Sequence, residues 1–218
     1  MGKYIIALIA PNETGKTTVI NNVWDLLPCF YPEEKVILND RKYHEIVGYV
    51  DGFKNIANDH HPIHRPYRVG VNSLGDTVNQ IKEGLAVLIH HKCNIIICSA
   101  RAELPKDGRN DWESMLKDAI SGISNTDLHE NHLDLINEIS PDGIKKEDLE
   151  YIAEEVKNYE IITCGHFRDF KLRGKPLKHT NEDPEPGIIR IPDNKGLNVD
   201  RISAQNIVNL IERIQNNY

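Results

Sequence analysis

The chain has no apolar run approaching the ~20 residues of a membrane-spanning helix, and its first apolar stretch, Tyr4–Ile9, is short and runs straight into polar residues. That stretch does not fit a secretory signal. Cysteine is scarce: Cys29, Cys93, Cys98 and Cys164 contain no CxxC pair, which excludes a disulfide framework and leaves a reduced cytoplasm as the expected setting. Cys98 and Cys164 are expected inside as small hydrophobes. Cys93 and Cys98, an odd number of residues apart in an expected strand, should point to opposite faces. An excess of positive charge is missing as well. The net charge of −7 argues against broad, nonspecific binding of nucleic acid. His60, His61 and His64 in one segment and His129 and His132 in another form no H-E-x-x-H motif, and no Cys or acidic pattern completes a zinc set. They read as exposed histidines. There is no internal repeat and no low-complexity tract.

What is present is a single α/β domain over residues 1–218, long enough for one full core. Short apolar runs at Tyr4–Ile9, Lys35–Leu38, Tyr67–Val71, Asn94–Cys98 and Glu160–Thr163 alternate with helical patterns. Five strands so separated imply a doubly wound, mainly parallel five-stranded sheet with helices on both faces and ligands at the carboxyl ends of its strands. Helical stripes are legible at 77–91, with Ser73-x-x-Asp76 as its capping box, and at 111–123, 128–139, 146–158 and 203–215. Two long stretches, Asp51–Pro66 and Phe167–Pro186, lack regular patterning and read as functional loops.

Chemistry concentrates in Ala10-Pro11-Asn12-Glu13-Thr14-Gly15-Lys16-Thr17-Thr18, directly after the first strand. The spacing fits a loop whose backbone amides, over Asn12, Glu13, Thr14, Gly15, Lys16, Thr17 and Thr18, curl around phosphate oxygens. Lys16 reaches the β- and γ-phosphates, and the Thr17 hydroxyl ligates Mg²⁺. The following helix sets its positive end under the anion. Its apolar stripe is Val19, Ile20, Val23, Trp24 and Leu27, and Pro28 stops it. Ala10 stands where the usual pattern has Gly, a departure that matters only where the backbone needs positive φ.

A phosphate loop needs a carboxylate at the end of a neighbouring strand to hold the magnesium shell. Asn72 occupies one such position and Asp76 lies four residues on, so Asp76 reads either as a metal-site acid or as a helix cap. The turn Asn72-Ser73-Leu74-Gly75 is similar to the D-x-x-G turn of switch GTPases, with Asn for the acid. The N-K-x-D base signature ends in Leu at Asn194-Lys195-Gly196-Leu197, which favours ATP over GTP. Asp40, followed by Arg41, reads as a general base for an acceptor hydroxyl or as a solvated turn. Arg101 leaves the fourth strand on the ligand side, followed by Lys106 and Arg109 in a loop spanning 100–112. It reads as a lid arginine for transition-state charge or as a solvated surface cation. Arg168, Lys171, Arg173, Lys175 and Lys178 read as a solvated loop or as a grip on an anionic substrate.

With these residues in place, the chain resembles the P-loop NTPase superfamily, in its small kinase-like form. The specific match covers Ala10–Thr18 and the looser one residues 1–165. The resemblance implies that Lys16 and Thr17 bind phosphate and Mg²⁺, that Arg101 belongs to a lid and that Asp40–Arg65 is an acceptor arm. Two functions follow: an ATP/Mg²⁺-dependent phosphotransferase acting on a nucleotide, nucleoside or small hydroxyl acceptor, and a regulatory NTPase in which hydrolysis or mere occupancy changes a surface read by a partner protein.

Overall fold

The computed structural model describes residues 2–10, 15–27, 35–41, 45–53, 67–101, 114–125, 144–165 and 199–216. Strand β1 (Lys3–Ala10) is buried from Tyr4 to Ala10. An unbroken apolar run of this kind is stable only with both faces of the sheet covered. Helix α1 (Lys16–Leu26) follows, then β2 (Lys35–Arg41), β3 (Glu45–Phe53), β4 (Tyr67–Asn72), α2 (Val78–His90), β5 (Ile95–Arg101), α3 (Ser114–Ser124), α4 (Lys146–Glu155), a 3₁₀ turn at Val156–Asn158, β6 (Tyr159–Gly165) and α5 (Val199–Asn216).

The sheet is mixed and six-stranded, in the order β2-β3-β4-β5-β1-β6. Its β4, β5, β1 and β6 pair in parallel, whereas β3 pairs antiparallel to both β2 and β4. The five-stranded expectation is therefore corrected by one strand. Glu45–Phe53 lies inside the segment read as an acceptor arm, and its Gly48 and Gly52 disguise it as a loop. Gly48 is there for close approach: a Cβ would stand 2.6 Å from the Val36 carbonyl oxygen and 2.9 Å from the Trp24 ring. Glycine within a strand often marks such a contact.

Helices cover both faces. Val19, Ile20, Val23 and Trp24 of α1 share one core cluster with Ala204, Ile207, Val208 and Ile211 of α5 and with Tyr4, Ile6 and Leu8 of β1. The opposite cluster joins Ile5, Ala7 and Ile9 of β1 to α2, α3 and α4 through Ile81, Leu85, Leu116, Ala119, Leu149 and Ile152. Cys98 and Cys164 are buried, and burial pushes their thiols up to about 12 and about 11. Cys93 does not oppose Cys98. It precedes β5, so strand alternation never reaches it, and both thiols enter the same cluster. Among the described residues no helix is long and apolar enough to cross a membrane. The helix expected at 128–139, the histidines at 60, 61, 64, 129 and 132, and the loops at 102–113 and 167–186 lie outside the described residues.

At the edge of the sheet where β4 begins, Arg68 forks onto Asp51 of β3, with Nη2 donating to Oδ2 at 2.9 Å, and donates through Nη1 to the His91 carbonyl. Its guanidinium lies 4.5 Å from the centre of the Tyr49 ring, which in turn meets the His91 ring at 5.2 Å. Burial, and then the charges of His90 and Arg68, lower the pKa of His91. The unfolded chain takes up a proton near pH 6.5 that the folded chain resists, so stability present above that pH falls as pH drops through it. Thermal melts from pH 7.5 to 5.5 should show this fall, and His91→Gln should shrink it. An unchanged pH dependence in the variant would remove His91 from this role.

Candidate functional site

The parallel strands β1, β4 and β5 end at one edge of the sheet, where α1 begins. Gly15 caps α1 with φ 87° and ψ 18°, a left-handed conformation that glycine adopts at little cost. Gly15 has no side chain with which to cap the helix, and the first turn of α1 carries no acid. Lys16, the first residue of α1, is only 6% exposed. Its pKa is lowered by burial first, raised by the field of Asp76 and lowered again by that of Arg101. Charged groups from the segment after β4 and from the end of β5 thus both act on the lysine that opens α1. Thr17 is partly buried and Thr18 exposed. Asn12, Glu13 and Thr14 lie outside the described residues.

Ala10 is the last residue of β1 and pairs in register with Arg101. Among the described non-glycine residues only Lys92 has positive φ, so the methyl group of Ala10 sits on ordinary strand backbone. Replacing the motif's first glycine therefore introduces no left-handed strain.

Asp76 starts two strand positions from β1, because β5 lies between β4 and β1. The chain bridges that gap through the turn at 73–76. Ser73 N–H donates to the Ile46 carbonyl at 2.9 Å, and the Ser73 hydroxyl accepts the Ile46 N–H at 2.6 Å. The Ser73 carbonyl then accepts the Ser99 hydroxyl at 2.8 Å, and the Gly75 carbonyl accepts the Arg101 N–H at 3.0 Å. Gly75 lies so close to β5 that a Cβ would stand 2.2 Å from Ser99 Oγ and 2.3 Å from its carbonyl oxygen. The turn is fastened to β3 on one side and laid across β5 on the other.

Asn72, at the strand-end position where an acid is expected, turns its side chain to α2. Fully buried, its Oδ1 accepts the Leu74 N–H at 3.0 Å, and its amide is so near α2 that a Cβ on Gly84 would stand 2.1 Å from Nδ2. The capping assignment also changes. Thr77 caps α2 by accepting the Gln80 N–H, and Gln80 Oε1 accepts the N–H groups of Thr77 and Asp76. The pair that closes the box is Thr77-x-x-Gln80, the better match to the pattern, and not Ser73-x-x-Asp76. The Asp76 carboxylate is left exposed and outside the cap.

Asp40 and Arg41 end β2, which runs in the same direction as β4, so they reach the same edge of the sheet. They stand four strand positions from β1, about 19 Å at the usual strand spacing of about 4.8 Å. Their side chains lie outside the described residues, as do Lys106 and Arg109. Lys16, Asp76 and Arg101 are brought together; Asp40 is not brought to them by the sheet. Sequence reasoning missed Ser73, Ser99 and Gly75 as the framework of this edge, since hydroxyl-to-backbone bonds between strands leave no spacing to detect. Among the described residues no group of three or more His, Cys, Asp or Glu side chains could hold a metal by itself. Comparison with protein-family models, with curated proteins and with solved structures returned no match.

Separating the cap from the acid gives a stability test. Thr77→Ala should lower stability by about 1 kcal/mol, whereas Asp76→Asn should leave the melting transition close to that of the parent. A loss for Asp76→Asn as large as for Thr77→Ala would return Asp76 to a capping role.

Proposed function

We propose that the β1–α1 junction binds a nucleoside triphosphate, ATP in preference to GTP, together with Mg²⁺, and that the chain cleaves its terminal phosphoryl group. The observation that carries this reading is the convergence of Lys16, Asp76 and Arg101, from three separate elements, at a helix start set by a left-handed glycine. A buried lysine at a helix start whose N-cap glycine makes no side-chain cap is suited to phosphate oxygens, which accept from its ammonium and from the helix's first N–H groups. The donor set fits the metal too: Thr17 opens α1 beside Lys16, and Asp76 is an exposed carboxylate without a capping duty. Thr17 and Asp76 would hold Mg²⁺, which when bound offsets phosphate charge. Lys16 orients the β- and γ-phosphates, and Arg101 stabilises charge that grows in the transition state. A reduced, cytoplasmic setting belongs to this reading and is supported by three free, buried thiols, Cys93, Cys98 and Cys164.

In the first version of this function the chain is a phosphotransferase. The acceptor oxygen bonds to the γ-phosphorus as the bond to ADP breaks, and a carboxylate takes the acceptor's proton. Asp40 is the base that the sequence suggests, with the hairpin β2–β3 as part of the acceptor arm. The second version, a regulatory NTPase, is favoured by a specific observation. A general base must come within about 3 Å of the hydroxyl it deprotonates, and β2 lies far across the sheet from β1, whereas the turn bearing Asp76 is bonded directly to β3. Occupancy at Lys16 thereby acquires a path to the edge hairpin.

ADP release, measured with and without a panel of nucleosides and nucleotides, tests the reading. Arg101→Ala should lower turnover by ~10³-fold with little change in ATP affinity, and turnover within a factor of two of the parent would return Arg101 to a solvated surface position. Asp40→Asn should abolish acceptor-stimulated ADP formation in a phosphotransferase. In a regulatory NTPase it should do little, while Asp76→Asn disturbs turnover. Absence of ADP formation under every condition would exclude phosphotransfer and hydrolysis alike.

A further inference from the structure

Ser73 stands where β4 stops and has to serve two strands at once. Along the antiparallel ladder, Val47 faces Asn72 and Gly48 faces Val71, so the next pair is Ile46 with Ser73. In a regular ladder that pair exchanges two backbone bonds, with each carbonyl taking the other's N–H. Only one of these is made by backbone here, Ser73 N–H to the Ile46 carbonyl. The Ile46 N–H goes to the Ser73 hydroxyl at 2.6 Å. The Ser73 carbonyl, released from that duty, accepts the Ser99 hydroxyl at 2.8 Å on the other side. Both serines are almost fully buried, at 2% and 1% exposure, so a missing partner there would carry the full cost of an unsatisfied polar group.

We infer that Ser73 is a positioning residue for Asp76. By accepting the Ile46 N–H on its side chain, it frees its carbonyl to turn onto β5, and the following residues carry Asp76 across β5 toward Lys16. Gly75 completes the crossing, with its carbonyl on the Arg101 N–H and no room for a side chain against Ser99. A residue without a hydroxyl at 73 draws the carbonyl back to Ile46, straightens the end of β4 and leaves Asp76 on the wrong side of β5. The inference rests on the proposed nucleotide reading, since Asp76 acts there on Mg²⁺ and its water.

The test compares Ser73→Ala, Ser73→Thr, Ser99→Ala and Asp76→Asn, with the first combined with the last. Turnover, the Mg²⁺ concentration at half-maximal turnover, ATP affinity and thermal melts are measured for each full-length protein. Ser73→Ala is expected to lower turnover at least about tenfold and to raise the Mg²⁺ requirement, with ATP affinity changed by less than about threefold. Ser73→Thr, which keeps the hydroxyl, restores turnover to within about threefold of the parent. Adding Ser73→Ala to Asp76→Asn costs less than about twofold more, because both act through one carboxylate. Where Ser73→Ala does not fold, Ser99→Ala takes its place in the same cycle, since it removes the other partner of the Ser73 carbonyl. Independent, multiplying losses in the double variant, or parental turnover and Mg²⁺ dependence in Ser73→Ala, would overturn the inference. A parent protein that neither binds nor turns over ATP with Mg²⁺ fails the nucleotide reading itself, a result separate from these.

Discussion

Burying the ammonium of Lys16 is costly in any protein, because water is lost and must be replaced by negative charge or good acceptors. This cost organises the end of the sheet. Lys16 is held in place by the helix it opens and by the left-handed turn at Gly15, so the compensating groups must come to it. The neighbouring strand β5 brings Arg101, whose positive charge works against that of Lys16. Asp76 works in the opposite direction and has to travel across β5 to do so. The fields of one acid and a second cation thus oppose each other at Lys16, and in the proposed function a polyphosphate adds the negative charge that favours the acid's side.

The route taken by Asp76 explains features that look unrelated in isolation. Gly75 is glycine because the turn touches the backbone of β5 at Ser99. Ser99 is a buried serine because the turn presents it with the Ser73 carbonyl. Gly84 is glycine because Asn72, displaced to the other face, fills the space its side chain would occupy. Each residue satisfies a local demand of packing or hydrogen bonding, and together they fix where one carboxylate stands. The same bonds join the 73–76 turn to β3, and through it to the edge strand β2, so that the far side of the sheet is hydrogen-bonded to the end where α1 begins.

Much of this architecture was legible from hydrophobic patterning. The stripes Val19 to Leu27 and Ala204 to Ile214 face one core cluster, as their helical spacing requires. The runs at β1, β4 and β5 read as buried strands because both faces are covered, whereas β6, at the edge of the sheet, is legible from its apolar run although Ile161 is exposed. β3 was hidden because Gly48 and Gly52 imitate loop composition, although Gly48 serves to admit the Trp24 ring. Lys16 and Gly15 were legible because the phosphate-loop spacing is itself a local geometry. Ser73 was not, since its meaning depends on Ile46 and Ser99, which are distant in sequence and adjacent only once the sheet has formed. Asp76 was legible as an acid near the site, and the capping role that competed for it belongs to Thr77, three residues before Gln80.

The central claim is that Lys16 is buried in order to meet a triphosphate. Calorimetric titration of the purified protein with ATP in the presence of Mg²⁺, set beside the same titration of Lys16→Ala, tests it directly. The parent is expected to bind, and the variant, with its melting transition intact, to lose that binding, because the side chain serves phosphate and not the core. Equal affinity in the two proteins, or no binding by the parent, would contradict it.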